Sequence, residues 1–409
     1  MRIAEAIQRV TGADVPVEFV AYDGSRAGEP DSPVRLDIRS PLAWSHLASA
    51  PGALGLARAY VSGAIDVVGD LHTALSTLPE LSFRDIPKDL RPWLVSKLAG
   101  ARLWWPVRKP AQETRMRGLR HSLRRDARAI AHHYDVSNRF YEWVLGPSMA
   151  YTCAVYPTDS ATLEQAQFTK FDLVARKLAL KPGMRLLDVG CGWGGMVMHA
   201  AKHYKVRALG VTLSRNQAEW AQKRIAEEGL GGLAEVRHLD YRAVPETGFD
   251  GVSSIGLTEH VGEAKLAAYF RTLYGKLLPG GRLLNHSITR PDSQGGDRAG
   301  GFINRYVFPD GELVGVGKII TRMHDTGFEV RHEENLREHY TKTLAAWGTN
   351  LERHWPEAVA EAGVGTARVW RLYMAGSRVG FDRNIVQLHQ VLGVRLDDNR
   401  SGMPLRPDW

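Results

Sequence analysis

The clearest chemical signal in the sequence is a glycine-rich turn that follows an apolar run. Asp188 and Val189 end this run, and Gly190, Gly192, Gly194 and Gly195 follow. Glycine lets the backbone approach a ligand closely and adopt positive φ, so such a turn is typical of a nucleotide pocket. The first, second and fourth of these glycines also fit the dinucleotide pattern GxGxxG, so the turn alone does not decide which nucleotide binds.

Two features favour S-adenosylmethionine (SAM) over a dinucleotide. Asp188 can balance the cationic sulfonium and amino group of SAM. The next strand candidate lacks the acidic residue that a dinucleotide ribose needs, since it ends in Thr212 and Leu213, with Gln217 about one helical turn further on. We therefore expect a SAM pocket, and a dinucleotide site and a structural turn without ligand are the alternatives.

A third strand candidate ends beside another acidic residue. Asp240 and Tyr241 follow directly after it. There the carboxylate of Asp240 is placed to accept a hydrogen bond from an adenine amino group. Both residues therefore join the predicted SAM site.

Short apolar runs alternate with helical patterns through this part of the chain. Strands are predicted at 185–189, 207–211, 234–239, 251–255 and 281–286, and helices at 194–203 and 215–228. The alternation predicts an α/β fold with a doubly wound, Rossmann-like parallel sheet covered on both faces. Nearer the N-terminus, a strand at 34–38 and a helix at 42–48 indicate a smaller α+β domain.

Several segments, taken in order and spacing, resemble the cyclopropane-fatty-acyl-phospholipid synthase and mycolic acid methyltransferase family. They are residues 132–138, 151–154, the glycine turn, 210–217 and 259–262. The likeness covers roughly residues 130 to 390. Residues 57–63 and 68–71 also resemble the N-terminal domain of the phospholipid-acting members, which the mycolic-acid enzymes lack. The resemblance thus implies an unsaturated phospholipid acyl chain as the substrate.

The resemblance also implies which residues bind and react. Contacts to SAM are expected from Tyr134, Tyr151, Thr152, Asp188, Gly190, Gly192, Gly194, Thr212, Leu213, Gln217, Asp240 and Tyr241. A buried bicarbonate ion is expected to act as general base, held by Cys153, Glu259, His286, the backbone of Ile288, and Tyr340. The implied reaction is transfer of a one-carbon unit to a cis double bond, and a SAM-dependent methyltransferase for another lipid or a small molecule is the alternative.

The implied carbocation must be kept dry and stabilised until a base removes a proton. Aromatic faces can stabilise a cation, and the candidates are Tyr134, Phe140, Tyr151, Phe302 and Tyr306, for each of which core packing is the alternative. Early loss of the proton closes a cyclopropane ring, whereas a prior hydride shift gives an exocyclic methylene.

One position bears on which product forms. Many family members carry an aromatic residue close before the Glu-His pair, where this chain has Leu257 and Thr258. The departure resembles the branch-forming members, so we favour a 10-methylene product over cyclopropane. A methylene lipid would need a downstream reductase to become a methyl branch.

Simpler explanations exist for several of the polar residues. Cys153 can be a small buried hydrophobe, Cys191 is expected to pack inside the turn, and His286 can be a core histidine. His199 and His203 share a helical face but have no evident third ligand, so no metal is predicted.

Composition limits where the protein acts and what it meets. The chain has 409 residues and a net charge of +8, no long apolar run and two cysteines, from which we expect a cytoplasmic protein without a structural disulfide. We divide it into an N-terminal lipid-associated domain (1–97), a basic connector (98–128) and a methyltransferase domain with acyl-binding insertions (129–409). The family likeness favours a homodimer.

The basic connector suggests a peripheral contact with the membrane. Residues 101–130 contain nine basic and two acidic side chains, and Trp104 and Trp105 lie among them. Tryptophan favours the headgroup layer and basic side chains favour anionic lipid. We prefer a membrane surface to a solvated linker, and we expect no nucleic-acid partner.

Overall fold

The computed structural model describes residues 1–12, 14–50, 52–79, 86–100, 107–114, 125, 136–293 and 300–409, without the side chains of 98–100. The chain forms two compact units. The N-terminal unit contains Met1–Arg115, Gly300–Pro309 and Trp355–Val379, and the large unit contains Met116–Ala299, Asp310–His354 and Gly380–Trp409.

The N-terminal unit is built on a four-stranded sheet in the order β2-β1-β3-β4. Its strands are β1 (Glu18–Ala21), β2 (Arg26–Gly28), β3 (Arg35–Ile38) and β4 (Ile65–Val68), and its helices include α1 (Ile3–Thr11), α2 (Leu42–Ser49), α3 (Ala53–Val61), α4 (Leu71–Thr77) and α5 (Arg91–Gly100). Phe19, Trp44 and Tyr60 are buried in its core. The smaller α+β domain expected from the sequence is confirmed.

The large unit contains a seven-stranded sheet in the order β10-β11-β9-β8-β5-β6-β7. Its strands are β5 (Arg185–Val189), β6 (Arg207–Thr212), β7 (Ala234–His238), β8 (Phe249–Ile255), β9 (Leu277–Thr289), β10 (Glu329–Asn335) and β11 (Gln387–Val394). The five strands from β5 to β9 are parallel. Their order reverses at β5, as the predicted doubly wound fold requires.

The helices of the large unit separate its strands along the chain. They include α6 (Asn138–Leu145), α7 (Leu163–Lys177), α8 (Gly195–Tyr204), α9 (Arg215–Glu227), α10 (Leu266–Lys276), α12 (Val316–Asp325) and α13 (Arg337–Arg353). Three further helices are α11 (Gly301–Tyr306) and α14 (Trp355–Ala362) of the N-terminal unit, and α15 (Val364–Asp382), which continues into the large unit.

Local sequence explains where the helices near the site begin. The hydroxyl of Thr162 accepts from the backbone N–H of Gln165, whose side chain accepts from the N–H of Thr162 in return. Ser214 likewise caps α9 by accepting from Gln217 N–H. Such caps stabilise a helix by about 1 kcal/mol and fix its first turn, which here directs Gln217 towards the end of β6.

Two strands at one edge of the sheet were not predicted. β11 is antiparallel to both β9 and β10. β10 has the sequence Glu-Val-Arg-His-Glu-Glu-Asn, and its side chains are only partly buried or exposed. An edge strand of this kind lacks the apolar run of the parallel strands, so a search for such runs misses it.

The predicted boundaries at 97/98 and 128/129 remain predictions, because most of the connector, including Trp104 and Trp105, lies outside the described residues. Two of the basic side chains that the structure describes in this connector lie close to carboxylates. Arg125 forms an ion pair with Asp310, and Lys109 lies 3.6 Å from Glu113. Within the described ranges, no helix has the length and apolar character needed to cross a bilayer.

Candidate active site

A pocket opens at the carboxyl ends of the parallel strands, where the strand order reverses. It is lined by residues that follow β5, β6, β7 and β8: Gly190, Gly192, Val211, Thr212, Leu213, Gln217, Leu239, Tyr241, Arg242, Gly256, Leu257, His260, Val261 and Lys265. This position in an open α/β sheet is where ligands bind.

The glycine turn needs glycine for two reasons. Gly190, Gly192 and Gly194 have φ values of 73°, 55° and 79°, in the left-handed region. In addition, a Cβ on Gly190 would lie 3.2 Å from the Cβ of Leu257, which also lines the pocket. A side chain at 190 would therefore be strained and would narrow the pocket.

Six of the predicted SAM residues line this pocket: Gly190, Gly192, Thr212, Leu213, Gln217 and Tyr241. The hydroxyl of Thr212 donates to Gln217 Oε1 over 2.9 Å, which orients the amide. Thr152 borders the pocket, since a Cβ on the lining residue Gly256 would lie 3.0 Å from its methyl group. Tyr151 lies nearby in the chain and packs against Trp347 at 5.3 Å between ring centres.

Asp188, Gly194 and Asp240, which were also predicted to contact SAM, do not line the pocket. Asp188 is buried and accepts a hydrogen bond of 2.6 Å from Ser253 Oγ. Gly194 caps the start of α8. The carboxylate of Asp240 accepts from the guanidinium of Arg242 at 2.8 and 2.6 Å, so an adenine amino group would share it with Arg242. Tyr134 lies outside the described residues.

Burial changes the charge of Asp188. Desolvation raises the pKa of its carboxyl to about 7, although the hydrogen bond from Ser253 and the charge of Lys170 act in the opposite direction. Asp188 thus lies below the glycine turn, where its hydrogen bond joins β5 to β8. A cation placed near it would favour the charged form of its carboxyl.

Glu259 contacts the carboxyl end of β9, the strand that contains His286. Glu259 Oε1 accepts from the backbone N–H of Ile288 over 2.6 Å, and His286 precedes Ile288 by two residues on the same face of the strand. Glu259 Oε2 and His286 Nε2 are both buried and have no hydrogen-bond partner among the described residues. A buried polar atom without a partner calls for an explanation such as a bound ion or water, so these two atoms are candidates for contact with a ligand.

Burial also sets the protonation of this pair. Desolvation raises the pKa of Glu259 to about 7 against the opposing effect of the Ile288 N–H. Desolvation, reinforced by the charges of Lys170 and Lys177, lowers the pKa of His286 well below its usual value. The imidazole is therefore neutral at neutral pH, and Glu259 can exist in either form.

Cys153 and Tyr340 meet at the start of α13. The thiol of Cys153 lies 3.8 Å from the carbonyl oxygen of Leu336, which also accepts from the backbone N–H of Tyr340 over 3.2 Å. Burial raises the pKa of Cys153, so the thiol stays protonated. It is a hydrogen-bond donor here and not a nucleophile.

Backbone contacts join this pair to Glu259 and His286. Leu336 N–H donates to the carbonyl of Leu388 over 2.8 Å, and Leu388 is the register partner of Ile288 on β9. Ile288 in turn holds Glu259. Backbone contacts thus connect Cys153, Tyr340, Glu259 and Ile288 at the carboxyl end of β9, the strand on which His286 also lies.

Sequence reasoning missed a buried lysine in this region. Lys170 on α7 donates to Thr152 Oγ1 over 2.9 Å and lies within electrostatic range of Cys153, Asp188 and His286. Desolvation lowers its pKa to about 7. A signal for it exists in the sequence, because Lys170 occupies the apolar face of α7, four residues after Ala166 and four before Val174.

Other expectations concern packing and metals. Phe140 is fully buried, and Cys191 is buried and free, as is Cys153. Phe302 and Tyr306 belong to the N-terminal unit, where their rings stack at 5.3 Å. Across the described residues, no group of three or more His, Cys, Asp or Glu side chains is arranged to hold a metal ion.

The comparison with known families identifies the chain. A family model described as mycolic acid cyclopropane synthetase matches residues 121–391. The chain belongs to this family. A probable fatty acid methyltransferase of Mycobacterium tuberculosis is 55% identical over 405 residues, which are 96% of this chain and 95% of that protein. A probable fatty acid methyltransferase of Pseudomonas putida is 39% identical over 389 residues, 93% and 92% of the two chains.

Solved structures of the family support the fold. The cyclopropane synthase MmaA2 from Mycobacterium tuberculosis matches with a TM-score of 0.63 and 32% identity over 67% of this chain and 99% of that one. The mycolic acid cyclopropane synthase CmaA1, complexed with SAH and CTAB, matches with a TM-score of 0.62 and 31% identity over 66% and 98%. The chain is a SAM-dependent methyltransferase of this family.

Proposed function

We propose that this enzyme transfers a one-carbon unit from SAM to the cis double bond of an unsaturated phospholipid acyl chain. The transfer gives a carbocation that loses a proton to form a 10-methylene or a cyclopropane acyl chain. The observation that carries the proposal is that Glu259 Oε2 and His286 Nε2, near the pocket at the strand ends, are buried and have no hydrogen-bond partner among the described residues. Lipid as the substrate class is supported by the names of the relatives, which include fatty acid methyltransferases and cyclopropane mycolic acid synthases.

The polar and backbone groups of the pocket fit the chemistry of SAM. SAM supplies an electrophilic methyl group on a cationic sulfonium. Thr212 and Gln217 offer fixed polar groups, the glycine turn lets the backbone approach, and Asp188 provides a buried carboxyl below it. Tyr151 offers an aromatic face that stabilises positive charge without reacting.

The group at the end of β9 fits a small anion such as bicarbonate, which supplies a base inside an otherwise neutral pocket when bound. Cys153 carries its proton and can donate, and His286 is neutral. With its pKa near neutrality, Glu259 can either accept a hydroxyl hydrogen or, when protonated, donate one, so repulsion between two anions is avoided. The Ile288 N–H holds Glu259, and a direct contact of that N–H to the anion stays a prediction.

The extent of the matches supports a substrate other than mycolic acid. Only 67% of this chain matches MmaA2, and that part covers 99% of MmaA2. The 55% identical relative, in contrast, also matches the N-terminal unit. The additional unit is available for binding a phospholipid surface. Membrane contact through the connector, a homodimer and a downstream reductase complete the proposal.

Thr258 supports a methylene product. Its hydroxyl donates to Asn285 Oδ1 over 2.6 Å, so the residue before Glu259 is polar and fixed. A fixed polar neighbour leaves more room beside the base than an aromatic ring and allows a hydride shift before deprotonation.

The proposal is tested by incubating the enzyme with SAM and vesicles of dioleoyl phosphatidylglycerol, and measuring release of S-adenosylhomocysteine and the mass of the acyl chains. We expect each modified chain to gain one CH₂. Glu259→Gln should lose turnover by about 100-fold or more while SAM still binds, because a base or anion holder contributes about 10²-fold or more. Glu235→Gln, an exposed residue of β7, is the matched control with normal activity. Full activity of Glu259→Gln, or methylation only of a small-molecule acceptor, would refute the proposal.

A further inference from the structure

The imidazole of His286 has one hydrogen-bond partner among the described residues. Its Nδ1 lies 3.2 Å from Nε2 of Gln390, and its Nε2 has none. His286 and Gln390 are register partners on the antiparallel strands β9 and β11, and both are buried. The Gln390 amide can present either its NH₂ group or its oxygen to Nδ1. The ring nitrogen that carries the proton therefore depends on the orientation of this amide.

Lys177 decides the orientation of that amide. Its Nζ donates to Gln390 Oε1 over 2.8 Å and also contacts the carboxylate of Glu334. Burial lowers the pKa of Lys177, and the charge of Glu334 acts in the opposite direction and favours the ammonium form. An ammonium group has only donors, so the amide oxygen must face Lys177. The amide NH₂ group consequently faces His286.

The tautomer of His286 follows from this orientation. A neutral imidazole has one N–H and one acceptor nitrogen. Since the amide donates to Nδ1, that nitrogen is the acceptor, and the proton lies on Nε2. The neighbouring charges of Lys170 and Lys177 oppose a second proton on the ring.

We propose that Lys177 and Gln390 are positioning residues that fix His286 in the Nε2–H tautomer, so that the ring presents a hydrogen-bond donor, and not a base, to the catalytic pocket. Its ligand there is the anion of the proposed function, and only that part of the inference rests on it. Proton removal from the acyl chain then falls to a group other than His286.

Lys177, Gln390 and His286 form a hydrogen-bonded series, here called the relay, and rigid elements of the fold hold it in place. Lys177 is the last residue of α7 and is fully buried, and its carbonyl accepts from the guanidinium of Arg282 over 3.0 Å. Gln390 lies in the middle of a strand that pairs on both sides. Neither group can exchange its partner for water without opening the sheet edge.

The direct test is ¹⁵N NMR of the protein labelled at histidine, with the His286 signals assigned from the His286→Gln variant. In the wild type we expect a protonated Nε2 and an unprotonated Nδ1 at pH 7. A protonated Nδ1 with an unprotonated Nε2 would overturn the inference whatever the activity. The protonation states are read on the unaltered enzyme, and the variant serves only to assign the His286 signals.

A pair of glutamine variants gives the second test. Gln390→Glu places an acceptor beside Nδ1, so that nitrogen should become protonated, and kcat should fall at least about tenfold because a hydrogen bond to a charged ligand is mispositioned. Gln387→Glu makes the same change on the opposite face of β11, where the side chain contacts Asn384, and should leave spectrum and kcat unchanged. An unchanged Nδ1 signal in Gln390→Glu would contradict the inference.

The outcomes separate the two proposals. If the wild-type ring is the Nε2–H tautomer but turnover does not respond to Glu259→Gln, the positioning inference stands and the proposed anion site fails. If the tautomer is reversed while Glu259→Gln abolishes turnover, the anion site stands and the relay fails.

Discussion

Replacing Lys170 by methionine should make the protein more stable and less active. The ammonium is buried beside Thr152, and desolvation lowers its pKa from 10.5 to about 7. The shift corresponds to about 5 kcal/mol, because a tenfold change in proton affinity is worth about 1.4 kcal/mol. Methionine has a similar volume and no charge, so it removes this cost at the expense of one hydrogen bond worth about 1 kcal/mol.

The stability advantage of Lys170→Met over the wild type decreases as the pH rises. Below the folded pKa of about 7, the buried ammonium destabilises the wild type in full. As pH rises towards the unfolded value of about 10.4, the folded lysine is neutral while the unfolded one still binds a proton, so wild-type stability increases. In Lys170→Met, loss of the lysine charge also raises the pKa of Asp188. This second shift makes the stability advantage of the variant fall further as the pH rises.

Urea unfolding at pH 6 and pH 9 measures the effect. We expect Lys170→Met to exceed the wild type by about 3 to 4 kcal/mol at pH 6, with most of that gain gone at pH 9. Lys181 is exposed and follows α7, so Lys181→Met is the control. Its free energy of unfolding should equal that of the wild type at both pH values. Equal stability of Lys170→Met and wild type at both pH values would show that Lys170 is not a buried cation and would refute the reasoning.

Three further predictions follow from single contacts. Gly190→Ala should weaken SAM binding at least about tenfold by calorimetry, since the position requires positive φ. Thr258→Val should leave Asn285 without its donor, lower stability by about 1 to 3 kcal/mol in thermal unfolding, and raise the cyclopropane share of the product in the NMR spectrum. Cys153 and Cys191 should resist a thiol reagent in the folded enzyme and react after unfolding, because burial raises both pKa values.

The parallel strands and the glycine turn were predictable because their signals are local. The run from 185 to 189 is mostly apolar, has Asp188 as its next-to-last residue and is followed by a turn with four glycines, and β5 has those same bounds. Thr212 and Gln217 are five residues apart in the chain, so a strand end and one helical turn suffice to place both at the pocket.

The relay behind His286 could not be predicted in the same way. Lys177, His286 and Gln390 come from α7, β9 and β11, and they meet only because β11 returns antiparallel to β9. The sequence around β10 and β11 carries no motif for that pairing. Lys170 and Lys177 do break the apolar face of one helix, and a charged residue in such a place is a recognisable sign of a buried partner.

The hydrogen bonds of Asp240 show a second limit of local reasoning. A strand-end acid suggests an adenine contact, but a neighbour two residues away can occupy it. Arg242 does so through its guanidinium and its backbone N–H. Such competition depends on side-chain rotamers and is not visible in spacing alone.

The central claim is that a SAM methyl carbon ends in the acyl chain of a phospholipid. The enzyme is incubated with SAM labelled with ¹³C at its methyl group and with vesicles of dioleoyl phosphatidylglycerol, and the extracted lipid is examined by ¹³C NMR. We expect the label in a vinylidene or a cyclopropane carbon of the acyl chain. Label found only in the headgroup, or an unlabelled lipid despite release of S-adenosylhomocysteine, would contradict it.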